Sequence, residues 1–78
     1  MENKTALAHQ RKAWEELTLA IKSLPEEQRQ AFVMRDAMNM EYSDIAEVIG
    51  IAEEDVRSLV TRARGSVADF TEESASEA

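Results

Sequence analysis

The chain has 78 residues, with nine Lys and Arg against 16 Asp and Glu and a formal net charge of −7. That length holds one small domain, whose single core contributes no more than about 3–5 kcal/mol of net stability. With no Cys and one His, disulfides, thiol nucleophiles and Cys/His zinc sites are excluded, and the acidic balance argues at first sight against a nucleic-acid binder.

The punctuation divides the chain into four helices. The first runs from about Thr5 to Ser23, with Leu7, Trp14, Leu17, Ile21 and Leu24 recurring every three or four residues. Pro25 suits the first position of a second helix, with Glu26 and Glu27 near the positive end of its dipole. That helix carries Phe32, Val33 and Met38 and should end around Asn39. Ser43 is the expected N-cap of a short third helix, Asp44 to Ile49, which Gly50 ends as a residue tolerant of left-handed backbone. The fourth helix spans about Glu53 to Phe70, with Val56, Val60, Ala63 and Val67 as its inner stripe. No strand alternation or internal repeat occurs, so the expected fold is all-α: a small four-helix domain with a C-terminal helix-turn-helix. Residues 1–12 form a partly helical extension, 13–70 the domain, and the Ser/Glu-rich residues 71–78 a disordered acidic tail. No apolar run approaches a membrane span, and the polar residues after Met1 do not form a signal peptide. The Cys-free chain fits a reducing cytoplasm.

Charge is unevenly spread along these elements. Residues 1–24 carry a net +1, residues 25–52 a net −4, residues 53–70 a net −1 and residues 71–78 a net −3. Nearly half of the total therefore lies in the tail, and most of the rest precedes the fourth helix. The total charge does not exclude nucleic acid.

The informative stretch is Tyr42 to Val60. A helix of about seven residues, then Gly50 and Ile51, then a longer amphipathic helix is the pattern of a helix-turn-helix. Ala46 suits a close helix crossing, and Ile45, Ile49, Ile51 and Val56 suit the small core between the two helices. On spacing alone, an ordinary helical hairpin remains the alternative. The run Leu24-Pro25, Arg29 to Phe32, Tyr42 to Glu47, Ile49 to Ile51, Val56 to Ser58 and Arg62-Ala63-Arg64 resembles region four of sigma-70-type factors. It is closest to the extracytoplasmic-function group. The resemblance covers about residues 13–70, and the Leu-Pro and Arg-Ala-Arg elements separate it from the LuxR-type helix-turn-helix.

The resemblance implies that the last helix binds the minus-35 promoter element and that the domain docks on the β flap of RNA polymerase. It further implies an anti-sigma factor as a partner. It places Asp55, Arg57, Ser58, Leu59 and Arg62 on or beside the DNA-facing side, with Arg64 a further phosphate or base contact. Tyr42 and Ser43 would touch the DNA backbone. Guanidinium forks suit both phosphate and guanine, although each Arg also fits a solvated charge or an ion pair. The chain departs from the family where a Gly-Thr pair is common, here Glu54 and Asp55, and where Arg is common, here Leu59. The acids Glu53, Glu54 and Asp55 favour their helix dipole but repel phosphate. Leu59 lies about 60° off the inner stripe at 100° per residue, as an exposed contact for a thymine methyl or a protein.

Elsewhere, Trp14 is expected to pack in the core or cap the domain, with a binding hot spot as the alternative. Met34 and Met40 are candidates for an adaptable docking surface. His9 reads as solvated, and the consecutive acids Glu15/Glu16 and Glu26/Glu27 do not converge as acid/base pairs or a metal cage. No cofactor is implied and the chain is not expected to be an enzyme. The reading is a DNA-binding sigma domain, excised from a longer factor or encoded alone. The alternative is a sigma-like module that binds an anti-sigma factor or RNA polymerase without reading promoter DNA.

Overall fold

A computed structural model describes the backbone of residues 3–77 and the side chains of residues 6–70. It contains α1 (Asn3–Lys22), α2 (Glu26–Phe32), a π-helical turn (Val33–Ala37), α3 (Tyr42–Ile49) and α4 (Glu53–Glu77). No strand occurs among the described residues, and none of their helices is long and apolar enough to cross a membrane.

Pro25 ends the first helix by steering Leu24 away from helical backbone. Its own carbonyl then accepts the first α2 hydrogen bond, from the Arg29 amide at 2.9 Å. Pro25 is therefore the N-cap of α2 rather than its first residue. The second helix widens where a regular continuation to Asn39 is expected. The Met38 amide reaches back five residues to the Val33 carbonyl, and the Met40 amide six residues to Met34, both at 3.0 Å. Asn39 closes this turn at φ 57°, the left-handed region that Asn tolerates better than most residues.

The expected N-cap at Ser43 is displaced by two residues. Glu41 holds the extended cap conformation and its carbonyl accepts from Asp44 and Ile45, so Tyr42 is the first residue of α3 and Ser43 an exposed second. At the other end Gly50 is left-handed at φ 85°, and both its amide and that of Ile51 bond the Ala46 carbonyl. An L side chain at this backbone angle costs about 1–2 kcal/mol, so glycine makes the turn possible.

Helix α4 builds two apolar clusters from one stripe. Val56 and Val60 join Ala31 and Ile45 in the helix-turn-helix cluster, with Ala46, Ile49, Ile51, Met34 and Met40 packed around them. Ala63 and Val67 join Ala20 of α1 and Leu24 just beyond it, with Leu17, Ile21, Phe32 and Phe70 around them. Ile45, Val56 and Val60 are fully buried, each contributing roughly 1.5–3 kcal/mol by leaving water. Alanines at positions 20, 31 and 63 let the helices approach closely. Met34 and Met40 are thus half-buried core neighbours, whereas Met38 is exposed.

Two expectations are corrected at the ends of the chain. The α1 stripe predicts burial of Leu7 and Trp14, but they are 59% and 66% exposed. Every residue from 6 to 15 is exposed, because α1 packs on α4 through Leu17, Ala20 and Ile21 and no second layer among the described residues covers its first half. At the other terminus α4 stays helical through Glu77, past the expected end at Phe70. No Gly or Pro follows Gly65 to stop it. The side chains of 71–78 lie outside the described residues.

Candidate nucleic-acid interface

The buried stripe of α4 fixes which residues can face a ligand. At 100° per residue, Glu54, Ser58, Thr61 and Gly65 lie opposite Val56, Val60, Ala63 and Val67, with Arg57 and Arg62 on either flank. Arg57, Ser58, Thr61 and Arg62 line one open, shallow hollow of about 280 Å³. A second hollow runs along the neighbouring flank, lined by Asp55, Ser58, Leu59 and Arg62 together with Glu27 and Ile51. Ser58 and Arg62 border both. The structure thus brings five of the expected site residues, Asp55, Arg57, Ser58, Leu59 and Arg62, to one side of α4. Thr61 belongs to the same face and was missed in the sequence, although its position one turn beyond Ser58 is a sufficient signal.

The other expected residues are differently engaged. Leu59 is half-buried and packs against the helix-turn-helix cluster, rather than standing free as an exposed apolar contact. It also lines the second hollow. Ser43 is exposed on α3 and borders neither hollow. Arg64 is bound to a partner: its guanidinium grips Asp36 of the π turn with two hydrogen bonds, Nε to Oδ2 at 2.9 Å and Nη2 to Oδ1. Bonding to Arg64 holds the Asp36 carboxyl below the usual carboxylate range despite some desolvation, with Arg35 a smaller contributor. The same bond raises Arg64, and the Tyr42 side chain adds less.

Tyr42 is a platform for two cations. The guanidinium carbon of Arg35 lies over its ring at 4.4 Å from the centroid and that of Arg57 at 4.5 Å, within cation–π range. Arg35 is anchored by donating Nη1 to the Met40 carbonyl at 2.7 Å. Arg57 also meets Glu53 at 4.0 Å, one turn earlier on the same exposed face. Among the three arginines of α4, Arg62 alone has a side chain with no ion pair or hydrogen bond within the described residues. The exposed acids Glu53, Glu54 and Asp55 occupy the first turn of the helix, where they oppose its positive end.

Over residues 14–67 the sequence matches the family described as sigma-70, region 4. The chain belongs to that family. No curated protein and no solved structure matches it. Sigma-70 region 4 domains bind minus-35 promoter DNA and RNA polymerase and are regulatory rather than catalytic. The matched span contains both apolar clusters except for Phe70. It also contains the outer face of α4. Among the described residues no group of His, Cys, Asp and Glu could hold a metal ion.

Proposed function

We propose that this chain is the minus-35-reading domain of a bacterial, cytoplasmic sigma factor of the extracytoplasmic-function type. The observation that carries the reading is the exposed outer face of α4, where Arg57, Ser58, Thr61 and Arg62 line one open hollow opposite the buried stripe. In this role Arg57 and Arg62 present guanidinium groups to guanine edges or phosphates, and Ser58 and Thr61 hydroxyls to base edges. Asp55 faces a cytosine amino group, Leu59 a thymine methyl at the edge of the groove, and Ser43 a phosphate. Arg64 serves the fold through Asp36 first.

Polymerase and the remaining sigma domains supply most of the holoenzyme's affinity, so the isolated domain binds weakly and in a salt-sensitive way. For the polymerase β flap or an anti-sigma factor, the exposed apolar side of α1 is the supporting feature. Trp14, Glu15, Thr18 and Leu19 form a shallow hollow there of about 300 Å³. Selection of duplexes from a randomised pool, followed by anisotropy titration at low salt, tests the reading. The expected result is a selected sequence bound more tightly than its scrambled counterpart.

The exposed acids at the start of α4 favour a second reading, in which the domain binds an anti-sigma factor or polymerase without reading DNA. Selection that yields no preferred duplex, with the anti-sigma factor captured from native lysate in the absence of polymerase, is the outcome that favours it.

A further inference from the structure

The Arg35–Tyr42–Arg57 group joins the π turn, the first residue of α3 and the recognition face of α4. Its geometry suggests a division of labour. Tyr42 is half-buried and packed against the Ala31–Ile45–Val56–Val60 cluster, so its ring has little freedom. Arg57 is 60% exposed on its side chain and would otherwise sample many rotamers. A fixed ring at 4.5 Å and the Glu53 carboxylate at 4.0 Å restrict it from two directions. Arg35 steadies the ring in turn, held by the Met40 carbonyl that the widened π turn brings within 2.7 Å. A rotamer restricted before contact loses less entropy on binding, and a planar group aimed in advance discriminates better between bases.

We propose that Tyr42 is a positioning residue: its ring holds the Arg57 guanidinium at the hollow on the outer face of α4, so that base discrimination through Arg57 requires an aromatic ring at position 42. The inference rests on the DNA-reading function proposed above. It reassigns Tyr42 from a contact with the DNA backbone to a residue that acts through Arg57.

The test compares Tyr42→Leu, Tyr42→Phe, Arg57→Ala and the Tyr42→Leu/Arg57→Ala double variant in the full chain, each confirmed folded by circular dichroism. The probes are a duplex selected by the wild-type domain from a randomised pool and its scrambled counterpart. Tyr42→Leu is expected to reduce the preference for the selected duplex about tenfold, and Arg57→Ala to add nothing further in that background. Tyr42→Phe, which keeps the ring, should restore the preference. In the free protein, the Arg57 δ-methylene protons should show a ring-current shift that Tyr42→Phe retains and Tyr42→Leu loses.

An equal effect of Arg57→Ala with and without Tyr42 overturns the inference while leaving the DNA-reading function intact. Absence of any preferred duplex for the wild-type domain overturns both. If Tyr42→Leu does not fold, Arg57→Lys decides, because an ammonium keeps the charge but not the planar stack. It should lose the preference and keep the salt dependence, and wild-type behaviour of Arg57→Lys overturns the inference.

Discussion

The two ends of the apolar stripe on α4 meet different fates in their partners. At its first half, Val56 and Val60 are enclosed by α2, α3 and the Gly50 turn, and the apolar side chains packed against them are half-buried. At its second half, Ala63 and Val67 meet α1 with only Leu24 and Phe32 beside it, and α1 leaves Leu7, Trp14 and Leu19 largely in solvent. The lesson is that a helical stripe buries only as far as a neighbouring element covers it. The helix-turn-helix is a closed core, whereas α1 is half a core and half a free surface.

The sharpest way to break this comparison is to cut into the closed core. Ile45→Ala removes a fully buried side chain and should cost about 2–5 kcal/mol. That equals most of the stability of a domain this small, so urea denaturation should show a largely unfolded protein at room temperature. Next comes the turn that aligns the two helices. Gly50→Ala finds open space for its methyl group but keeps the left-handed backbone angle, and thermal melts should show a loss of about 1–2 kcal/mol.

A smaller effect is expected from the Arg64–Asp36 pair that ties α4 to the π turn. Half-exposed pairs of this kind contribute about 0.2–1 kcal/mol, and Asp36→Asn should lose no more than that. Because Asp36 titrates lower in the folded state than its ordinary value, its contribution is complete above the ordinary carboxylate range. It is lost as pH falls through the lowered folded value. Melts of Asp36→Asn and wild type should therefore converge as the solution is acidified. The smallest effect belongs to the open side: Trp14→Ala should change stability by only about 0.5 kcal/mol, and native Trp14 fluorescence should be readily quenched by iodide.

These contrasts also mark what sequence could and could not reveal. The Gly50 turn, the α4 stripe and the Ile45 core were readable because each follows from local chemistry: backbone tolerance, helical phase and apolar type. Trp14 was misplaced because phase reports which residues share a face, not whether another element lies over it. The widening after Phe32 carries no motif, and it shows only in the hydrogen bonds from Met38 to Val33 and from Met40 to Met34. Among the site residues, the resemblance supplied the outward-facing residues of α4, but not the fate of each cation. Arg64 and Asp36 are 28 residues apart in sequence, and only the fold brings them together. The acids Glu53, Glu54 and Asp55 were correctly placed as exposed first-turn residues, and one of them is already drawn toward Arg57.

The central claim is that the domain meets DNA through the open face of α4, with Arg62 available and Arg64 committed to Asp36. Anisotropy titration of the selected duplex at low salt, with Arg62→Ala and Arg64→Ala both held well below their melting temperatures, tests it most directly. Arg62→Ala should weaken binding by about 1–3 kcal/mol and lower the salt slope by roughly one, while Arg64→Ala should change affinity by less than about twofold, as expected of a residue outside the contact. A larger loss from Arg64→Ala than from Arg62→Ala, or no loss from Arg62→Ala, would contradict the account.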